Sequence, residues 1–512
     1  MPTPHANALP PLPLGQMALH AATGSALPLP GVRSYLVSGA RRTHQEIAFT
    51  EEYYPPRYAT DGTLIGNLRF ALRYEPADLG ILHNALLALG SNGLIAWVRA
   101  EPTGSYSRRA WFFYEMLTGD ILDLPPVQAG NYVDALDPLF HFVASPINSS
   151  RHRVRNNLLG TSELCPTVRR TRKLQGMIAL GLDQEIRRLT KQYAPEMLAR
   201  AVSFLYTKET RSSFAIEGEA PSHTREERFL QALRAIGKFD PTDKAALVAL
   251  QGHIVEARYA ADDYRDFQNF VGETTRRYGE YVHFICPRPE DIPTLMSGWM
   301  SLTERMLQSP LDPVIAAAVS AFAFVFLHPF EDGNGRMHRF LIHYALQRRG
   351  FTPPGLIFPV SAAILRQRHL YDAVLEAFSK PALAATQWDF TEDHGIIVKN
   401  DTRDLYRFFD ATAQAEYLYD RIAETIREDF KEELDFLSVF DAAFTAVRNV
   451  VEMPDRRAAL LVRLCMQNGG VLSQNKRKQF SELTDAEISA MEEALAPILR
   501  TARHESKAPS EI

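Results

Sequence analysis

Residues 314–327 are almost entirely Ala, Val, Ile and Phe, and no other stretch restricts the fold as tightly. The run falls short of the about 20 apolar residues that span a bilayer, and it has the length of a helix buried on every side. The polar loop that follows therefore hangs from a rigid post. Beyond it, Met337, Leu341, Tyr344 and Ala345 recur at helical spacing until Arg348, Arg349 and Gly350, basic residues of a last turn followed by a glycine suited to the position past a helix end. The local reading is helix, glycine-bearing loop, helix.

From His328 to Arg339 the loop reads His-Pro-Phe-Glu-Asp-Gly-Asn-Gly-Arg-Met-His-Arg. Gly333 and Gly335 let the backbone approach a ligand, and the free N–H groups at the start of the next helix form an anion site suited to phosphate. Arg336 and Arg339 stand three apart on one helical face, able to grip further phosphate oxygens, and Asn334 adds amide donors. Asp332 is a carboxylate placed to hold a Mg²⁺ whose other ligands are phosphate oxygens and water. His328 is a candidate base, with a reference pKa of about 6.5. Phe330 points into the core and pins the loop. Taken singly, each residue fits a plain turn between two core helices, and His328 fits a core histidine. Concentrated in one short segment, they favour a catalytic site for phosphate chemistry.

This stretch resembles the Fic family, whose signature His-x-Phe-x-Asp/Glu-Gly-Asn-Gly-Arg-x-x-Arg is matched at every specified position. The resemblance implies a mainly α, Fic-type helical core and a nucleotidyltransferase that moves AMP from ATP and Mg²⁺ to a Ser, Thr or Tyr hydroxyl of a protein, itself included. It implies that His328 deprotonates the hydroxyl and Asp332 holds the metal. Gly333, Asn334, Gly335, Arg336 and Arg339 would bind the phosphates, with Arg339 at the γ-phosphate. Gly335 stands where the kinase branch of the family has Lys, which counts against a kinase.

Two further segments gain meaning beside the motif. Ser213-Phe-Ala-Ile-Glu217-Gly218 puts a hydroxyl and a carboxylate at i and i+4, with a glycine fit to end a helix. Alone this is an ordinary capped helix; it resembles the family's inhibitory segment, in the class where that helix, here near residues 205–218, precedes the core. Glu217 would then pair with Arg339 and occupy its γ-phosphate contact. Residues 276–285 hold Tyr278, Tyr281, Val282, Phe284 and Ile285 around Gly279, a short β-forming stretch closed by Pro287 and Pro289. It reads as a connecting hairpin or, by the resemblance, as a flap that pairs with an extended target segment. Tyr371, in a helical stretch over 361–379, falls where family members line the adenine site, and core packing explains it too, as it does Trp388.

A chain of 512 residues is long for one core, and its net charge of −5 gives no whole-chain footprint for nucleic acid or an anionic membrane. Cys165, Cys286 and Cys465 lie far apart without metal spacing, no segment reads as membrane-spanning, and the first basic residue is Arg33; a cytoplasmic protein is expected. The expected layout is a flexible leader over 1–32, a mixed domain and basic linker over 33–173, the catalytic domain over 174–410, a helical module over 411–503 and a tail over 504–512. Aromatics at Trp97, Trp111, Phe112, Phe113 and Tyr114 read as core. The basic run from Arg151 to Lys173 reads as a solvated linker face or a contact for an acidic partner or nucleic acid. The module's Lys476-Arg477-Lys478 admits a winged-helix-like reading beside a plain helical one. Thr484 and Glu487 form a capping box.

Three functions remain in view: AMP transfer restrained by Glu217, AMP removal at the same site with Glu217 orienting a water, and a regulator whose C-terminal module binds DNA. A homodimer is compatible with each.

Overall fold

The computed structural model describes residues 11–46, 48–274 and 280–505. Its first unit contains β1 (Leu12–Leu14), α1 (Gly15–Thr23), β2 (Val32–Leu36), β3 (Arg42–Gln45) and β4 (Thr50–Tyr54), with the strands in the order β1-β2-β4-β3. The described part of the expected flexible leader is therefore ordered structure, and residues 1–10 lie outside the described residues. Pro13 does not prevent this, because β1 is an edge strand that can spare an N–H. Leu14 and Leu19 are buried, and the Gln16 N–H donates to the Glu75 carboxylate at 2.8 Å.

Helices α2 (Leu64–Tyr74), α3 (Leu79–Ala100) and α4 (Ser105–Thr118) build the next layer, and the expected aromatic cluster is buried within it. α3 is long and apolar enough to cross a membrane, which the sequence reading missed. It is interrupted at Gly90, whose φ of 71° is not helical, and its first half packs into this core. Strands β5 (Val133–Asp134), β6 (Ile147–Ser149) and β7 (Val154–Asn156) follow. The basic run is no solvated linker. Arg151 pairs with Glu115 at 2.9 Å, Arg155 with Asp134 at 2.6 Å and Arg169 with Asp410 at 2.6 Å, while Arg153 donates to the Val127, Gln128 and Gly130 carbonyls. These cations hold loops inside the chain.

The main core gathers α5 (Arg172–Ala179), α6 (Leu182–Thr190), α7 (Pro195–Ile216), α8 (His223–Arg234), α9 (Lys244–Ile254), the hairpin β8 (Phe270–Thr274) and β9 (Glu280–Ile285), α10 (Ile292–Gln308), α11 (Pro313–Leu327) and α12 (Asn334–Arg348). α11 is the expected post, buried at every position from Val314 to Leu327. Asp312 caps its start by accepting the Val314 and Ile315 N–H groups, and Pro313 occupies the first turn, where its missing N–H costs nothing. α12 ends as expected: Gly350 takes φ of +67°, and the Phe351 N–H donates to the Leu346 carbonyl at 3.0 Å.

Next come α13 (Val360–Arg366) and α14 (Arg368–Ala385), separated at Gln367, then β10 (Trp388–Phe390), β11 (Ile396–Val398), α15 (Arg403–Arg407) and α16 (Thr412–Glu424). The core reaches from Phe142 to Leu437, so the expected edges at 174 and 410 fall inside one packed unit. The segments join because the Cys165 and Thr167 N–H groups donate to the Arg407 and Phe409 carbonyls at 2.8 and 2.9 Å. The β8–β9 hairpin stands where the flap was expected; Arg276, Tyr278 and Gly279 lie outside the described residues. Trp388 packs against the hairpin with Val282, Ile285 and Ile396.

A π-helical turn over Thr425–Phe430 leads into α17 (Lys431–Val450), α18 (Asp455–Gln467), α19 (Gln474–Arg477) and α20 (Asp485–Glu505), and the apolar faces of α17, α18 and α20 form a small separate core. Thr484 and Glu487 make the reciprocal bonds of the capping box. Among its described residues the module has helices and no strand, so no wing is formed, and Arg477 is tied to Glu492 at 3.0 Å. Cys165, Cys286 and Cys465 are free and buried.

Candidate active site

His328 ends α11 in the left-handed region, with φ of +49°, a conformation that costs a non-glycine residue energy and turns the chain sharply out of the helix. Its Nδ1 lies 3.2 Å from the Val325 carbonyl, which can only accept, so Nδ1 carries the proton and Nε2 keeps a lone pair. Burial pushes the imidazole pKa down to about 4, against the opposing pull of the Val325 bond. At neutral pH His328 is an uncharged base.

Phe330 is fully buried against Tyr264 and Phe324, which pins the loop as expected. Asn334 differs from expectation. Its Oδ1 accepts the Phe330 N–H at 3.1 Å and its Nδ2 donates to the Phe330 carbonyl at 2.8 Å. Both ends of the buried amide shape the loop, so its side chain is not a phosphate donor here. Gln251, which no local sequence pattern singles out, holds the same loop by donating to the Asp332 carbonyl at 3.2 Å.

Gly333 starts α12 with φ of +89° and has no side chain to cap the helix, so the first-turn N–H groups face outward as an anion site. The carboxylate of Glu217 reaches this point from the end of α7: a Cβ on Gly335 would lie 2.3 Å from Glu217 Oε1. Arg339 donates to Ser213 Oγ at 2.8 Å, to the Ser213 carbonyl at 2.8 Å and to Glu217 Oε1 at 2.7 Å. Burial opposes the Glu217 charge, but Arg339 outweighs it and holds the carboxyl below its usual range. Gly218 takes φ of +72° just past the helix, as a C-terminal glycine does.

Arg336 is held separately. It donates to Asp332 Oδ1 at 2.7 Å and lies 3.1 Å from Glu219 Oε1. Glu219 was not picked out in the sequence, although it stands two residues beyond Glu217; Arg225, at 2.7 Å, steadies it. Both arginines are 1% exposed, yet Arg336 Nε and Arg339 Nη1 are buried without a partner. Orphaned cationic donors in front of an open helix N-terminus fit an anion with more oxygens than a carboxylate has.

Asp332 Oδ1 also accepts the Gly333 N–H at 2.5 Å, while the side chain stays 43% exposed. No cluster of three or more ligating side chains occurs among the described residues. A single exposed carboxylate beside a phosphate site suits Mg²⁺, which retains waters and takes phosphate oxygens. Tyr371 lies inside the core against His338 and Tyr417 and adjoins the site through Arg339, whose charge acts on its hydroxyl. His338 is fully buried against Phe322.

Residues 241–346 match the Fic/DOC family. The chain is 40% identical over 86 residues to a protein adenylyltransferase Fic of Culex quinquefasciatus, covering 16% of this chain and 17% of that one. It is 35% identical over 96 residues to protein adenylyltransferase fic-1 of Caenorhabditis elegans, covering 19% and 16%. The matches thus span less than a fifth of these relatives' length. A Fic family protein from Desulfovibrio desulfuricans G20 overlays with a TM-score of 0.35 at 18% identity, covering 66% of this chain and 94% of that one. Fic-1 from C. elegans overlays with a TM-score of 0.30 at 16% identity, covering 70% and 91%. Residues 241–346 contain α11, the loop and nearly all of α12, so the segment that matches the Fic/DOC family is the one that builds this site.

Proposed function

We propose that the chain is a protein adenylyltransferase that moves AMP from ATP to a Ser, Thr or Tyr hydroxyl of a protein, itself included, and that Glu217 restrains it. The observation that carries this reading is the Glu217 carboxylate seated on Arg339 at the open N-terminus of α12, where an anion would bind. In the reaction His328 Nε2 takes the hydroxyl proton as the oxygen attacks the α-phosphorus and the bond to the β-phosphate oxygen breaks, releasing pyrophosphate. Arg336, Arg339 and the first N–H groups of α12 hold the phosphates and balance the charge on the leaving group. Asp332 would hold Mg²⁺, which supplies further charge neutralisation there.

The test is incubation with ATP labelled in the α-phosphate, followed by mass spectrometry. Glu217→Gly should gain an AMP adduct that His328→Ala lacks; no adduct on any protein with Glu217→Gly would sink the reading. A second reading is removal of AMP by water at the same site, with Glu217 orienting the water. Loss of AMP from a pre-modified target with wild type, abolished in Glu217→Gly, would select it.

A further inference from the structure

We infer that Arg265 is a positioning residue that fixes the catalytic base relative to the hairpin β8–β9, and thereby sets where an acceptor hydroxyl meets His328. The inference rests on the proposed transfer reaction.

Arg265 sits between α9 and the hairpin and is 5% exposed. Its Nε donates to the His328 carbonyl at 2.8 Å, Nη1 to the Phe267 carbonyl at 2.7 Å and Nη2 to the Pro287 carbonyl at 2.6 Å. Its own N–H donates to the Pro329 carbonyl at 2.8 Å. One rigid fork thus grips the turn that carries the base and the chain on both sides of the hairpin. Phe267 precedes β8, and Pro287 follows β9. The hairpin base is closed by the Cys286 N–H on the Asn269 carbonyl at 3.0 Å and by Gln268 on the Cys286 carbonyl at 2.8 Å. A displacement of the fork moves His328 and the hairpin relative to each other.

Arg153 holds loops by the same three-carbonyl pattern, so what sets Arg265 apart is that one of its carbonyls belongs to His328. A buried cation spent on three neutral carbonyls is costly, and burial holds the Arg265 pKa below its usual value. The planar guanidinium alone can address three carbonyls at fixed angles; a lysine at this place keeps the charge and loses the geometry. Its partner turn is also the strained one, since His328 holds φ of +49°. The bond to the His328 carbonyl is well placed to keep that conformation. Charged groups acting on the His328 ring are Arg265, Glu217 and Asp332, and the Arg265 cation lowers its pKa.

The test uses the full chain with Glu217→Gly, into which Arg265→Lys and Arg265→Gln are introduced. Each should lower AMP transfer about 10- to 100-fold, the scale of a misplaced reacting group, with Mg²⁺-ATP affinity by calorimetry changed less than about twofold. The His328 ring, followed by NMR in protein with labelled histidines, should titrate at higher pH in Arg265→Gln and unchanged in Arg265→Lys. Equal loss of nucleotide binding and transfer, or unchanged transfer in Arg265→Lys, overturns the inference. If Glu217→Gly transfers no AMP, the functional reading falls instead. Arg265 is then judged by the His328 titration and by hydrogen exchange in β8 and β9, which should quicken in both variants; identical behaviour to the parent in both measurements rejects the role.

Discussion

Glu217 Oε1 lies 2.7 Å from Arg339 Nη2 and 2.3 Å from the point where a Cβ on Gly335 would stand. The same carboxylate therefore answers a guanidinium and covers the start of α12. Arg339 is 1% exposed while the Glu217 side chain is 35% exposed, so the arginine is the partner that suffers if it is left without an anion. An incoming phosphate avoids that penalty by taking the place of the carboxylate on Arg339. The pair is then an exchangeable anion and not a fixed strut, which is the property a brake on a phosphate site requires.

Replacing Glu217 by Gly should raise AMP transfer about tenfold or more, the scale of a charge-assisted hydrogen bond. Arg339→Ala should be inactive with or without Glu217, since the arginine serves the brake and the phosphate alike. Initial rates for the four combinations decide this. A double variant as active as Glu217→Gly would remove Arg339 from the reaction.

Glu219 extends the brake to Arg336, which it meets at 3.1 Å while 30% exposed. Partly exposed pairs are weak, about 0.2–1 kcal/mol, so Glu219→Gln in the Glu217→Gly protein should tighten Mg²⁺-ATP by at most about fivefold. In wild type the same change should do little, because Arg339 stays blocked. Calorimetry that finds equal affinities with and without Glu219 in the Glu217→Gly protein would confine it to a structural role.

His328→Ala should lower transfer at least about 100-fold, the usual cost of losing a general base. The pH dependence follows from the direction of its shift. The imidazole is neutral, and so competent as a base, above its depressed pKa of about 4, and activity falls as the pH drops through that value. Between pH 5 and 8 this group should contribute no slope to kcat/KM. An acidic limb near pH 6.5, the ordinary histidine value, would show that the ring is not the neutral, desolvated base described.

The loop was legible in the sequence because its chemistry is contiguous. One buried helix fixes where the loop starts, and glycines with spaced arginines fix where an anion can go. Glu217 was legible too, since i and i+4 place it beside Ser213 on one helical face and the family resemblance supplied its partner. Arg265, Gln251 and Glu219 were not, because tertiary packing brings them from other segments and none belongs to a local pattern. Asn334 was misassigned for a related reason: whether an amide faces a ligand or its own loop depends on how tightly the loop curls. The N-terminal prolines suggested a leader, yet an edge strand tolerates them. The basic run suggested solvent, yet its carboxylate and carbonyl partners lie up to hundreds of residues away, as Asp410 does from Arg169.

Gly335→Ala tests whether carboxylate and phosphate share one place. Alanine favours a helix, so α12 should keep its fold. The new Cβ would meet Glu217 Oε1 at 2.3 Å and Arg339 Nη1 at 3.3 Å, and the carboxylate, at the end of a flexible side chain, is the group that yields. The brake is then released by eviction, as in Glu217→Gly. The outcome should nevertheless be opposite, because the methyl group that displaces the carboxylate also occupies the anion's approach to the first N–H groups of α12. Gly335→Ala should bind Mg²⁺-ATP more weakly than Glu217→Gly by about tenfold or more, a loss on the scale of one charge-assisted hydrogen bond, and transfer should fall with it. The double variant should match Gly335→Ala, since nothing remains for the second change to release. If Gly335→Ala instead binds and transfers as well as Glu217→Gly, the phosphates sit elsewhere, and Glu217 restrains the enzyme through Arg339 alone.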